Sequence, residues 1–201
     1  TGDLFAVATG DMSSVAAADM SSIATEDMCA VPAGDMSSVA TEDKSSVAAE
    51  DLSSAAPKDM PAFATRDMSS AAAEDLLAVA KGDLFAGATG DMSSVATEDM
   101  SSIATRDMCA VGINGMCAVT TGDMFSVAAE DMSTAATEDM SSAAADAVRS
   151  APAEDVSSVA PKDMSAFAAG DMPSVATGDL FAVATGDMSS VAAADMSSIA
   201  T

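Results

Sequence analysis

The residue with the most regular spacing and a reactive side chain is aspartate, which recurs every eight residues along nearly the whole chain. Carboxylate oxygens are the ligands that calcium prefers, and some repeat proteins hold calcium through aspartates in their turns. The repeat here lacks the paired glycines of those proteins, so the pattern predicts low-affinity surface calcium sites. The alternative interpretation is a solvated acidic edge that keeps chains apart. The candidate calcium ligands are Asp91, Asp99 and Asp187.

Hydroxyl side chains form the second regular array. Serine and threonine recur at the third, fourth and seventh positions of the octad that each aspartate begins. One interpretation is a regular array of O-linked sugar attachment sites on a fibre; the other is that these residues are simply small and soluble. The candidate O-glycosylation residues are Ser13, Ser14, Ser37, Ser38, Ser93, Ser94, Thr97, Ser101, Ser102, Ser189 and Ser190.

Other reactive groups are scarce, and this excludes whole classes of function. The chain has no histidine, and its three cysteines form no C-x-x-C pair, which argues against general-base catalysis and a zinc site. No nucleotide-binding or nucleophile-elbow motif occurs. A net charge of -25 disfavours nucleic-acid binding, and no apolar run is long enough for a membrane span. The sequence therefore predicts a protein that is not an enzyme, with no cofactor apart from the calcium considered above.

The whole chain is one tandem repeat. From Asp3 onwards it reads as 25 octads of the form D-M-S-S-V-A-T-[G/E], the last ending one residue short at Thr201. Residues 1–25 and 177–201 are identical, which is typical of a segment cut from a longer array. No shift in composition marks a boundary, so residues 1–201 are predicted to form a single uninterrupted array.

An octad period favours strands over a helix. Eight residues of α-helix turn through about 800°, so an apolar stripe would rotate by about 80° per octad. Strand side chains alternate with a period of two, so positions two, four and six share one face while three, five and seven share the other. The predicted fold is a non-globular, all-β tandem repeat, either extended and fibrous or a β-solenoid with two octads in each 16-residue coil. Stacked coils would align the aspartates into repelling ladders, whereas an extended chain would not.

Several octad positions vary little and behave as contact positions. Position two holds all 17 methionines, position four is small, position five is non-polar and position six is mostly alanine. The cysteines, Cys29, Cys109 and Cys117, replace serine at position three, by drift or for interchain disulfides. Four phenylalanines also fall at position three and, if exposed, mark contacts between rods. These are Phe5, Phe85, Phe125 and Phe181. The predicted packing residues are Met12, Val15, Met92, Val95, Met188 and Val191.

Two kinds of known protein resemble this pattern. The octad period and hydroxylated residues resemble extracellular fibres built from short tandem repeats and coated with O-glycan. Residues 89–96 and 185–192 fit the octapeptide frame [A/T]-G-x-x-S-[S/T]-x-[T/A] and so resemble bacterial ice nucleation proteins. That second resemblance implies 16-residue coils with an outward hydroxyl pair. Here the regular tyrosine of that family is absent, and the pair is reduced to Ser94-x-Ala96.

The functional prediction is architectural. The first hypothesis is a carbohydrate-coated extracellular or cell-surface filament whose partners are neighbouring copies and covalent glycan. The second is a β-solenoid that presents a periodic face to ice or another regular surface. The third is an expanded low-complexity repeat without a stable fold.

Overall fold

The computed structural model describes residues 3–144, 146–151, 154–160 and 162–200. All elements in these ranges are β-strands. The chain divides into two compact units, Thr1–Glu98 and Asp99–Thr201, and each is described by itself. The octad pattern runs through residues 98 and 99 without a break, so the prediction of a single array of octads for residues 1–201 stays a prediction.

The first unit contains two parallel sheets, called here its odd sheet and its even sheet after the strand numbers. Its odd sheet comprises β1 (Leu4–Ala8), β3 (Met20–Ala24), β5 (Met36–Val39), β7 (Leu52–Ala56), β9 (Met68–Ala72) and β11 (Leu84–Ala88). Its even sheet comprises β2 (Met12–Ala16), β4 (Met28–Pro32), β6 (Lys44–Ala48), β8 (Met60–Ala64), β10 (Leu76–Ala80) and β12 (Met92–Ala96).

The second unit repeats this arrangement, also with an odd and an even sheet. Its odd sheet comprises β13 (Met100–Ile103), β15 (Met116–Val119), β17 (Met132–Ala135), β19 (Val148–Ser150), β21 (Met164–Ala168), β23 (Leu180–Ala184) and β25 (Met196–Ala200). Its even sheet comprises β14 (Met108–Gly112), β16 (Met124–Ala128), β18 (Met140–Ala144), β20 (Val156–Ala160), β22 (Met172–Ala176) and β24 (Met188–Ala192).

Strand pairing shows that each coil contains two octads. Each strand begins at position two of its octad, and most end at position six. Within a unit, a strand pairs in parallel with the strand two octads later, so that Leu4 lies beside Met20 and Leu180 beside Met196. The three remaining positions form a corner that passes the chain from one sheet to the other. The β-solenoid interpretation with a 16-residue coil is therefore confirmed in each unit, and the extended alternative is not what the chain adopts. These regular strands also argue against a repeat without a stable fold.

The core lies between the two sheets of a unit and is thin. Positions two, four and six point inwards, as the strand alternation requires, so that Met20 and Ala24 are both buried. A long side chain at position two and small ones at positions four and six fill this space, and methionine suits it because its unbranched chain adapts to irregular gaps. Among the predicted packing residues, Met92 is buried, whereas Met12 and Met188 are half-buried.

The predicted packing role of the position-five valines inside the solenoid is wrong. Val15, Val95 and Val191 are 77%, 38% and 61% exposed, respectively. Position five is one residue from positions four and six, so in a strand its side chain must point to the opposite face. The low variability of position five therefore reflects a repeated outer surface rather than the core.

Candidate functional site

The aspartates form a hydrogen-bonded ladder at each corner of the solenoid. The Oδ1 atom of one aspartate accepts a hydrogen bond from the backbone N–H of the residue 16 positions later. The donor–acceptor distance is 2.9 Å between Asp91 N and Asp75 Oδ1, and 2.8 Å between Asp187 N and Asp171 Oδ1. An ionised acceptor strengthens the bond, and the corner N–H gains a partner. The position-one carboxylate therefore ties each coil to the next.

The donor in this ladder does not have to be aspartate. The N–H of Gly115 donates to Asp99 Oδ1 at 3.1 Å, and that of Ala147 donates to Asp131 Oδ1 at 3.3 Å. Asp99 thus has a structural role. In the described ranges of the chain, no three acidic or cysteine side chains gather into a group suited to a metal ion. The candidate calcium ligands Asp91, Asp99 and Asp187 lie along the corners as ladder members rather than converging on one site.

Basic residues at position eight partly offset the acidic corners. Arg66 Nη1 lies 2.9 Å from Glu50 Oε2, and Lys162 Nζ lies 2.7 Å from Asp146 Oδ1, each pair joining neighbouring coils. Lys58 pairs with Glu42 in the same way, and this hydrogen bond raises the pKa of Lys58. Such exposed pairs contribute little stability individually. They locally relieve the repulsion that stacking creates.

The structure separates the candidate glycosylation residues into two sets. The position-three side chains point outwards: Ser13, Ser37, Ser93 and Ser189 are exposed, and Ser101 is half-exposed. Thr97, at position seven, is exposed, and its hydroxyl donates to the carbonyl of Lys81. The position-four candidates face the core, and for them the prediction needs correction because a folded coil leaves no room for a sugar there. Ser38, Ser94 and Ser102 are buried, and Ser14 and Ser190 are half-buried.

Buried serines at position four interact with methionines across the core. The Ser22 hydroxyl donates to Met28 Sδ at 3.3 Å, and the Ser126 hydroxyl donates to Met132 Sδ at the same distance. The methionine lies six residues after the serine in both cases, at position two of the next octad. A thioether is a weak acceptor, but it provides a partner in a core that holds few other acceptors. The sequence alone does not reveal this pairing, because the two residues meet only across the facing sheets.

Four buried hydroxyls among the described residues have no hydrogen-bond partner. They belong to Ser38, Ser46, Ser54 and Ser70. For three of them, the residue six positions later is not methionine, so no sulfur is available. The residues found six positions after Ser38, Ser46 and Ser70 are Lys44, Leu52 and Leu76, respectively. Ser54 has Met60 at that place, and nothing in the structure explains its unpaired hydroxyl. The pairing rule therefore accounts for most of these unsatisfied groups.

Replacing Ser70 by alanine is expected to stabilise the protein by about 1–2 kcal/mol, because the change removes a buried hydroxyl without a partner. Alanine fits this place, since Ala86 occupies the same position in the neighbouring strand and is fully buried. The matched control is Ser22→Ala in the same sheet, which removes a hydroxyl that has a sulfur acceptor. Urea unfolding midpoints compare the two variants, and equal stabilisation by both would contradict the explanation.

Lys44 is the one departure from an apolar side chain at position two. It lies in β6 with only 1% of its surface exposed, and its Nζ donates to the carbonyl oxygen of Ser38 at 2.6 Å. Burial lowers the pKa of Lys44 from its ordinary value of 10.5 to about 7. Desolvation has this effect because it disfavours the charged ammonium group. The first unit therefore carries an ionisable group in an otherwise apolar layer of its core.

The outer faces of the sheets carry the remaining candidate contact residues. All three cysteines are exposed, with Cys29 and Cys109 on even sheets and Cys117 on an odd sheet. The position-three phenylalanines are exposed too, as the rod-contact prediction requires. They are Phe5, Phe85, Phe125 and Phe181. Because all described elements are strands, this part of the chain contains no helix able to cross a membrane.

The corner ladders, the Ser–Met contacts and the outward columns together describe a site that is a repeated surface rather than a pocket. No protein-family model, curated protein or solved structure matches the chain. The functional conclusion therefore depends on the geometry alone.

Proposed function

We propose that the chain is an architectural protein that builds an extracellular filament from neighbouring copies and carries carbohydrate on its outer faces. The observation that carries this proposal is that alternate positions of the octad face the core and the solvent. Positions two, four and six fill the core, while positions three and five face outwards on one strand after another, as in β12, β20 and β22. A repetitive β-solenoid fits a structural repeat protein that presents periodic faces.

Sugar attachment is proposed at position three, where the serine hydroxyls face solvent. Mass-spectrometric site mapping of native material is expected to find sugar on Ser37 or Ser189, which lie outside the even sheet of the first unit, whereas Ser38 and Ser190 remain unmodified. The two groups are neighbouring serines of the same octads, so each exposed residue has its inward-facing neighbour as an internal control. An unmodified intact mass would remove the carbohydrate part of the proposal.

Electron microscopy of native material tests the filament itself. Filaments are expected, with strand spacing of about 4.8 Å in their diffraction, as stacked coils require. Dispersed single particles over a wide range of concentrations would overturn the architectural proposal.

One observation favours a second candidate, a face that binds ice or another regular surface. Ser37 in β5 lies directly beside Ser21 in β3 and Ser53 in β7, so outward hydroxyl groups recur at the strand spacing on this odd sheet. Thermal hysteresis or a raised freezing temperature is then expected in a solution of the purified protein. Freezing at the same temperature as buffer would exclude this candidate.

A further inference from the structure

The geometry points to the outer face of the even sheet of the first unit as a surface through which two copies of this chain associate. This inference rests on the proposed architectural function and names the contact that the function requires. We call this surface the valine face. Its central column is formed by the position-five residues of β2, β4, β6, β8, β10 and β12. They are Val15, Val31, Val47, Phe63, Val79 and Val95.

The central column of the valine face is continuous and apolar. Neighbouring members of the column lie directly beside each other in the parallel register, as Val15 does beside Val31 and Val79 beside Val95. Five of the six are at least 36% exposed, from Phe63 at that value to Val15 at 77%. The adjacent position-three column adds exposed Leu77. Contiguous exposed apolar surface of this kind marks an interaction site more often than scattered apolar residues do.

The odd sheet of the same unit is less suited to a flat contact. Its position-five column begins with Val7, Ile23 and Val39 but continues with Ala55, Ala71 and Gly87. Its phenylalanines stand on the two outermost strands, at Phe5 and Phe85. A flat partner resting on those rings would leave the small residues between them uncovered. The even sheet is therefore the better docking surface of the two.

Charge also favours the valine face. Positions three, five and seven of its six octads contain no acidic residue, and their single charged residue is Lys81 at the sheet margin. The carboxylates stand at the corners, at positions one and eight. Two valine faces can therefore meet without burying a carboxylate, whose desolvation would oppose association. The acidic corners would remain at the rim, where salt screens their repulsion.

The period of the face identifies the occupant as a second copy. Side chains on the valine face recur at the strand spacing of about 4.8 Å, and only a surface with the same period can interdigitate along its whole length. Six strands at this spacing, each with five residues of about 3.3 Å, give a face of about 500 Å². Two such faces bury about 1,000 Å² in total, which is the lower bound for a specific interface.

The test uses two variants with the same charge change on opposite faces of the full chain. Val47→Asp changes the valine face, and Val39→Asp changes the odd sheet one octad earlier; the two valines are 41% and 48% exposed. Sedimentation velocity in about 0.5 M salt, where the Debye length is only a few ångströms, measures association, and circular dichroism checks that both variants keep the native fold. We expect association to weaken at least 30-fold in Val47→Asp and less than threefold in Val39→Asp. Equal effects, or no effect of Val47→Asp, would overturn the inference.

The native cysteines supply a second measurement that needs no change in the apolar column. With serine at the other two cysteines, a polyethylene glycol maleimide is attached either to Cys29 on the valine face or to Cys117 on an odd sheet. The Cys29 adduct is expected to block association and the Cys117 adduct to permit it. Filaments that form equally with both adducts would overturn the valine-face contact but leave the architectural function standing. A native chain that forms neither dimers nor filaments overturns both.

Discussion

Replacing Lys44 by methionine is expected to raise the free energy of unfolding by about 5 kcal/mol below pH 7. The ammonium group lies in the place that methionine occupies in most octads, and burial lowers its pKa from 10.5 to about 7. That difference, at about 1.4 kcal/mol per pKa unit, sets the size of the effect. The new sulfur also provides the acceptor that the Ser38 hydroxyl lacks.

The native protein should show a matching dependence on pH. Between about pH 7 and 10.5, the unfolded chain binds a proton on Lys44 that the folded chain has released. Stability therefore increases as pH rises through this range. Below about pH 7 both states are protonated, and the destabilisation from burying the charge is fully present. In Lys44→Met, this part of the pH dependence should disappear.

The matched control for Lys44 is Lys81→Met, which removes the same charge from an exposed place in the same unit. Urea unfolding of both variants from pH 6 to pH 10 measures the two slopes. Lys81→Met should keep the native slope, and its stability should change by less than about 0.5 kcal/mol, as for most surface substitutions. A native-like slope in Lys44→Met would show that Lys44 is not the titrating group.

Replacing Gly90 by alanine is expected to destabilise the protein by about 2–3 kcal/mol through overpacking at a corner. A Cβ atom there would collide with Asp75 Oδ1 and lie 2.8 Å from the carbonyl carbon of Glu74 in the preceding coil. The carboxylate can rotate away, but the backbone carbon cannot. No described glycine has a left-handed backbone, so Gly90 is required for space rather than for its conformational freedom.

Gly10→Ala is the control for Gly90, because Gly10 occupies the same octad position but has free space around its Cα atom. Its nearest contact would be Glu26 Oε2, at an ordinary 3.9 Å. This variant should be neutral or up to about 1 kcal/mol more stable, since alanine restricts the unfolded chain. Hydrogen exchange at the amide of Asp91, which donates to Asp75, should increase only in Gly90→Ala. Equal tolerance at both glycines would mean that the corner adjusts freely.

Much of the backbone follows from the octad period, because an even period fixes which side chains share a face. The strands, the inward Met92 and the 16-residue coil all depend on that arithmetic. The same alternation requires the side chain of Val95 to point outwards. Its low variability nevertheless suggested packing, since a sequence shows how much a position varies but not which surface constrains it.

The polar contacts were less predictable because they join residues of different coils or facing sheets. The Asp75 carboxylate binds a backbone amide 16 residues away, so its role depends on the number of octads in a coil. Repulsion between carboxylates was predictable from charge alone, whereas the hydrogen bonds that offset it were not. The partner of Ser22 also depends on which methionine faces it. Composition and spacing therefore determine the strands, and the three-dimensional stacking determines the site.

The 16-residue coil has a consequence for how such an array changes by duplication. Gaining or losing two octads keeps every later octad on its own sheet, whereas gaining or losing one moves all later octads to the opposite sheet. The peptide Ala-Pro-Lys-Asp-Met occurs at residues 56–60 and 160–164, thirteen octads apart, and it leads into even strand β8 and odd strand β21. Both sheets accept it, because their inward positions follow the same pattern. A one-octad insertion can thus exchange the outer faces while preserving the core, which lets new surfaces evolve without a new fold.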